Sequence, residues 1–146
     1  MKKWFGLLCL VPLLSGCSHL QTRLAPSARL ADYHNVFVEH ELSDGRSVDL
    51  FIQRKLQAMG FVAAAGPLTM KPTEAELVLS YQEHWTFDFT TYIIEIDMQV
   101  HDARTGRELA VGHYFHPSIT NEYTSEVVDP LIEQLFGPNG AKPVTR

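Results

Sequence analysis

From Leu77 to Phe115 apolar and polar residues alternate almost without a break, and no other stretch of the chain constrains its fold as tightly. Leu77, Leu79, Tyr81, Trp85 and Phe87 share one face of an extended strand, with Ser80, Gln82, His84 and Thr86 on the other. Ile94, Ile96, Met98 and Val100 then alternate with Glu95, Asp97, Gln99 and His101, a strand with one buried and one wet face. After "DARTGRE", a turn in which Gly106 suits positive φ, Leu109, Val111, His113 and Phe115 alternate with Glu108, Ala110, Gly112 and Tyr114. Strand side chains repeat every two residues. Three such strands in succession pair as antiparallel hairpins and need cover on one face.

Two helical stripes can supply that cover. Val48, Phe51, Ile52, Leu56 and Met59 recur at helical spacing, opposite Asp49, Gln53, Arg54 and Gln57. Gly60 stands where a helix over 45–59 would end. Val127, Val128, Leu131, Ile132, Leu135 and Phe136 form the second stripe, ended by Gly137. Pro130 interrupts it: either Asp129 caps a short helix with Pro130 at its first position, or a longer helix kinks there. Val127 and Val128 fit the stripe and favour the kink. Asn35 to Glu41 ("NVFVEHE") reads as a first strand, and Phe61 to Ala64 as a short second one. The expectation is an α+β two-layer sandwich, a mostly antiparallel sheet of four to five strands with two helices on one face, formed by a single domain over 34–136.

The N-terminus has another character. Lys2 and Lys3 precede an apolar run from Trp4 to Leu14, eleven residues. A membrane-spanning helix needs about 20. A positive start, a short apolar middle and small residues before a cut describe a secretory signal peptide, here 1–16. Leu14-Ser15-Gly16-Cys17 resembles the lipobox of bacterial lipoproteins. The resemblance implies cleavage before Cys17, a diacylglycerol on the Cys17 thiol and acylation of the new amino group. Two acyl chains anchor a protein stably where one does so only marginally. In the lipoproteins it resembles, Asp after the cysteine retains the protein at the inner membrane; Ser18 here implies the outer membrane. Residues 17–33 read as the lipidated cysteine and a tether, and 137–146, with Gly137, Pro138, Gly140 and Pro143, as a flexible tail.

Charge and cysteine content exclude several functions. Loss of Lys2 and Lys3 takes the net charge from −5 to −7 with His neutral. An acidic chain without a basic run argues against nucleic-acid binding. The two cysteines are Cys9, in the signal peptide, and Cys17. The mature chain then has no free thiol and no disulfide, which excludes cysteine catalysis and thiolate metal sites. No Gly-x-Ser-x-Gly elbow or Gly-rich phosphate loop is present.

Ala75-Glu76-Leu77-Val78-Leu79, then "IEIDMQVHDARTGRELAVG" and a terminal "LIEQLFG", resembles small proteobacterial envelope lipoproteins of unknown function. These share a strand ending in Asp, here Asp102, a Thr-Gly turn, Thr105-Gly106, and a following strand. The architecture is also distantly similar to the periplasmic domain of the curli-secretion lipoprotein and to the lipoprotein partner of the lipopolysaccharide translocon. The resemblance implies an envelope location and a role in binding other proteins or envelope lipids. It implies no catalytic residues. The long inserted segments that a secretion channel needs for its barrel are missing, which argues against a pore.

Three features invite chemistry. Seven histidines raise the question of a metal. Pairing across Thr90-Thr91 would set His84 opposite Asp97, and pairing across Arg104-Thr105 would set His101 opposite Glu108, a His and carboxylate set of a kind that could hold zinc. A solvated sheet face with favourable cross-strand pairs explains the same residues, and no tight ligand spacing supports a metal. His113 and His116, three apart on a strand, fall on opposite faces. Glu83 falls on the apolar face, where an unpaired carboxylate is costly; a bulge, edge exposure or a partner such as Tyr81 would accommodate it. Phe89 and Tyr92, near the first hairpin turn, are candidate partner contacts. The sequence therefore points to a non-enzymatic envelope module without a cofactor, bound to the membrane through its lipid and to an envelope protein partner. A binder of a lipid or other small hydrophobic ligand, and a metal-dependent hydrolase, are the alternatives.

Overall fold

A computed structural model describes residues 19–88, 90–115 and 124–138, with only the backbone at 86–88 and 90–92. Six strands form one mixed sheet: β1 (His19–Leu24), β2 (Asn35–Glu39), β3 (Val62–Gly66), β4 (Leu77–Asp88), β5 (Thr90–Asp102) and β6 (Glu108–Phe115). Their order across the sheet is β1-β6-β5-β4-β2-β3. Helices α1 (Val48–Ala58) and α2 (Thr124–Phe136) complete the α+β fold. The long alternating stretch forms the antiparallel β4-β5-β6 meander that its pattern demands. The β5–β6 turn is closed by Asp102. Its Oδ1 accepts hydrogen bonds from the amides of Arg104 (3.0 Å) and Thr105 (2.7 Å) and from the Thr105 hydroxyl (2.9 Å). Gly106 follows with φ 70°, where a side chain would be strained.

Both helices pack on one face. Ile52 and Leu56 of α1, and Val127, Val128, Leu131, Ile132 and Leu135 of α2, join Val36, Val38, Leu77, Leu79, Ile96, Met98 and Val100 in one buried core. Helix α2 runs through Pro130 rather than starting there. Val127 and Val128 are fully buried, so burial of the first turn offsets the hydrogen bond that the proline cannot donate. On β6 the buried side is Ala110, Gly112 and Tyr114. A Cβ on Gly112 would lie 2.8 Å from Leu131 Cδ1 and 3.0 Å from Leu135 Cδ1, so small residues there let α2 approach closely. Lys55 ties the helices together, hydrogen-bonded to Glu133 and 3.6 Å from Asp129.

Two features depart from the sequence reading. Residues 19–24, expected within a tether, are instead edge strand β1, paired antiparallel with β6 from His19↔Phe115 to Leu24↔Ala110. The sheet therefore has six strands rather than four to five. The open edge of β6 explains this, since its backbone groups pair with any extended segment that reaches them. The second departure is that β2 lies parallel to both β3 and β4. With the right-handed connections that parallel strands take, α1 crosses one face between β2 and β3. Residues 67–76 must then return across the other face to reach β4. This accounts for Phe37, which points away from the helices yet is only 2% exposed. Of the expected tail, Gly137 and Pro138 are described, and the rest lies outside the described residues, as do the signal peptide and Cys17.

Candidate functional site

The densest polar constellation lies where β2 gives way to α1. Asp44, only 9% exposed, anchors it. Its Oδ2 accepts hydrogen bonds from the Val48 amide (2.6 Å) and the Tyr81 hydroxyl (2.7 Å), and its Oδ1 from the Arg46 amide (2.7 Å). The Tyr81 oxygen in turn accepts from the Asp49 amide at 3.2 Å. Ser47, at the N-terminus of α1, sits in the left-handed region at φ 60° and offers no side-chain cap. Asp44 thus does the capping from outside the helix and holds a loop that would otherwise be strained. Burial pushes the Asp44 carboxyl up, but the bonds from Tyr81 and the amides of Arg46, Val48 and Asp49 outweigh it and hold the carboxyl below the usual range. Burial, and then the hydrogen bond to Asp44 and the charge of that carboxylate, drive the Tyr81 phenol above its ordinary value. Asp49 pairs at 3.0 Å with Nδ1 of His40.

Glu83 borders this cluster. It stands on the helix-side face two residues beyond Tyr81, and a bulge between His84 and Trp85 follows it. The strand thus contains one of the accommodations its sequence called for. Its Oε2 is nonetheless buried without a hydrogen-bond partner. Burial, then the charge of Asp44, raise its carboxyl above the ordinary range, partly offset by a hydrogen bond from Trp85. Arg46 lies over the Trp85 ring, 4.6 Å from its centroid.

The helix-free sheet face carries a second set. Asp97 lies opposite His113 on β6 and Gln82 on β4. His113 Nδ1 is 2.8 Å from Asp97 Oδ1 and 3.8 Å from Glu95 Oε1. A hollow of about 380 Å³ opens beside this trio, bordered by Gln21, Arg23 and Gln99.

The expected metal set is not assembled. His84 faces Glu95 rather than Asp97, because the innermost pair of the hairpin is Asp88↔Thr90, earlier than a turn at Thr90-Thr91 allows, and the bulge recovers only one residue of that offset. His101 does face Glu108, as the spacing across the second turn required. His84 and His101 are six residues apart along the sheet, about 20 Å, too far for one ion. The sequence reading passed over His113, weighed there only against His116; the correct register would have set it beside Asp97. Phe89 lies outside the described residues, and so does the side chain of Tyr92.

Two trios place three potential ligand atoms within 4.8 Å of one another: His40, Asp44 and Asp49, and Glu95, Asp97 and His113. In the first, both oxygens of Asp44 already serve the loop. In the second, Nδ1 of His113 is committed to Asp97. In each His–Asp pair the imidazole Nδ1 is bonded to the carboxylate, His40 to Asp49 at 3.0 Å and His113 to Asp97 at 2.8 Å.

No protein-family model matches the chain, and no curated protein matches it. Similar folds occur among solved structures. The PelC dodecamer from Paraburkholderia phytofirmans, seen in two crystal forms, aligns with 86% of this chain at TM-scores of 0.58 and 0.56. The alignment covers 100% and 99% of the PelC chain at 15% and 16% identity. TolB from Acinetobacter baumannii aligns with 80% of this chain and 31% of its own, at 14% identity and TM-score 0.44. A minor lipoprotein from Acinetobacter baumannii aligns with 70% of this chain and 89% of its own, at 17% identity and TM-score 0.34. The chain thus shares the fold of PelC over that protein's whole length.

Proposed function

We propose that this protein is an outer-membrane lipoprotein, anchored through Cys17 on the periplasmic side, that works as a non-enzymatic assembly module and associates with copies of itself. The observation that carries the reading is the pair of open edges, β1 and β3, on opposite sides of one sheet. Joining β1 of one copy to β3 of the next is a head-to-tail contact, and such contacts generate rings when the rotation closes. PelC, which has the same fold, is a dodecamer.

Strand β3, "VAAAG", contains neither charge nor proline to discourage an added strand. Val62 and Gly66 turn their backbone groups toward β2, through Val62 N–H to His34 O and His40 N–H to Gly66 O. Alternation then turns Ala63 and Ala65 outward. The Ala63 carbonyl is already held by Gln53 (3.1 Å) and Gln57 (2.9 Å), leaving Ala65 as the open pairing position. Val62, Leu68 and Met70, at 67%, 50% and 70% exposure, give the region apolar surface to bury.

Ala65→Pro removes the outward amide without touching the β2 ladder. Light scattering of detergent-extracted protein should give an oligomer for the unmodified chain and a monomer of unchanged circular dichroism for Ala65→Pro. A monomeric unmodified chain, or an oligomer indifferent to Ala65→Pro, would defeat the edge-pairing reading.

A further inference from the structure

The geometry points to a second membrane contact: the projecting end of the β4–β5 hairpin enters the bilayer beside the acylated Cys17, so that the domain stands end-on against the lipid. The inference rests on the lipid anchor proposed above and deepens it. Cys17 lies two residues before the start of β1 at His19. Two residues span at most about 7 Å. The domain is therefore held close to the lipid at the end of the sheet where β1 begins.

The strand register identifies what else lies at that end. The last row to cross four strands is His19, Phe115, Glu95 and His84. Among the described residues only β4 and β5 continue beyond it, through Trp85–Asp88 on one strand and back along Thr90–Ile94 on the other. Four further residues at about 3.3 Å each make an arm of roughly 13 Å. The headgroup layer on each side of a bilayer is about 5–8 Å deep. Along the strand direction the arm starts level with His19, about 10–14 Å to its side at two to three strand spacings, so with the anchor no more than about 7 Å beyond that level it has the length to reach the acyl boundary. Among its described positions Asp88 is the single charged residue, against Trp85, Phe87, Tyr92 and Ile94, while Ile93 is taken up by the core. Aromatic residues favour the membrane interface, where an apolar body and a polar tip are both satisfied.

The loop after β2 lies at the same end, because β2 and β4 run parallel with Val38 opposite Leu79. It carries Leu42, 95% exposed, and Arg46 stacked over Trp85. An apolar side chain so exposed beside the anchor has the bilayer as its natural cover. The opposite end of the sheet, at the Asp102–Gly106 turn, presents Arg104 and Thr105 and faces water.

With Cys9 removed and Cys17 acylated, a single introduced cysteine is the only free thiol. Asp88→Cys and Arg104→Cys, made in the full-length chain, are purified from membranes, labelled with an environment-sensitive dye and reconstituted in vesicles of phosphatidylethanolamine and phosphatidylglycerol. The Asp88→Cys label should be quenched several-fold more strongly by a nitroxide-bearing lipid than by aqueous iodide, and the Arg104→Cys label the reverse. An Asp88→Cys label that iodide reaches as readily as Arg104→Cys would overturn the inference, as would lipid quenching at both positions. Trp85, the one tryptophan left after cleavage, gives a check without substitution. Brominated lipid should quench its emission, and indifference to bromine counts against membrane contact. Mass spectrometry of the same samples separates the two claims. An unmodified Cys17 removes the anchor itself, whereas an acylated Cys17 with a water-exposed arm overturns the docking alone.

Discussion

Replacing Asp44 by alanine should cost this domain about 3 kcal/mol. The figure follows from what the carboxylate holds. Asp44 is 9% exposed and accepts hydrogen bonds from the Val48 and Arg46 amides and the Tyr81 hydroxyl at 2.6, 2.7 and 2.7 Å. Loss of a helix cap costs about 1 kcal/mol. A buried hydroxyl left without its acceptor costs about 1–3 kcal/mol. The sum lies at the upper end of ordinary single substitutions. Urea unfolding followed by Trp85 emission measures it. Tyr81→Phe removes one donor and should cost about 1 kcal/mol, and the double variant should fall short of the sum because the pair shares a bond. The sign with pH is fixed. The folded carboxyl sits below its ordinary value, so its contribution is complete above the unfolded pKa of about 3.9 and is lost as pH falls through the folded value. Asp44→Ala should lack that acid-limb slope. A cost below about 0.5 kcal/mol, or strict additivity with Tyr81→Phe, would refute the account of the loop.

Two further expectations follow from the same packing. Glu83→Gln should stabilise the protein at pH 7 by about 1 kcal/mol, because burial and Asp44 raise the carboxyl above its ordinary value. The unmodified chain should be most favoured below the unfolded pKa of Glu83 and lose that margin as pH rises through the folded value, a slope that paired melts at pH 4 and 7 would find missing in Glu83→Gln. Gly112→Val should destabilise by about 1–3 kcal/mol, since its Cβ alone would sit 2.8 Å from Leu131; a neutral result would mean that α2 can back away from β6.

The β4-β5-β6 meander was legible because alternation on a half-buried strand has a single physical source. Both helices were legible for the same reason at a different period, and Gly60 and Gly137 marked their ends. Strand β1 was not legible. "HLQTRL" does alternate, with Leu20, Thr22 and Leu24 turned inward and His19, Gln21 and Arg23 outward, but six residues directly after the lipobox read as a tether. The parallel placement of β2 between β3 and β4 escaped because alternation shows which residues share a face and not which strands are neighbours, and Phe37 betrays its two-sided burial only once the crossover is known. At the site, Glu83 was identified as anomalous and the bulge beside it foreseen. Nothing in the sequence pattern singled out its neighbour Asp44, because a long-range bond such as Asp44–Tyr81 leaves no periodic trace. The His84–Asp97 pairing failed on register, because the hairpin closes at Asp88↔Thr90 rather than across Thr90-Thr91.

The account stands most directly on a native mass spectrum of the protein extracted from bacterial membranes in mild detergent. It predicts an oligomer of chains that each begin at Cys17, 130 residues long, and each carry the mass of two or three acyl chains. A monomer with an unmodified Cys17 would contradict both the anchor and the assembly.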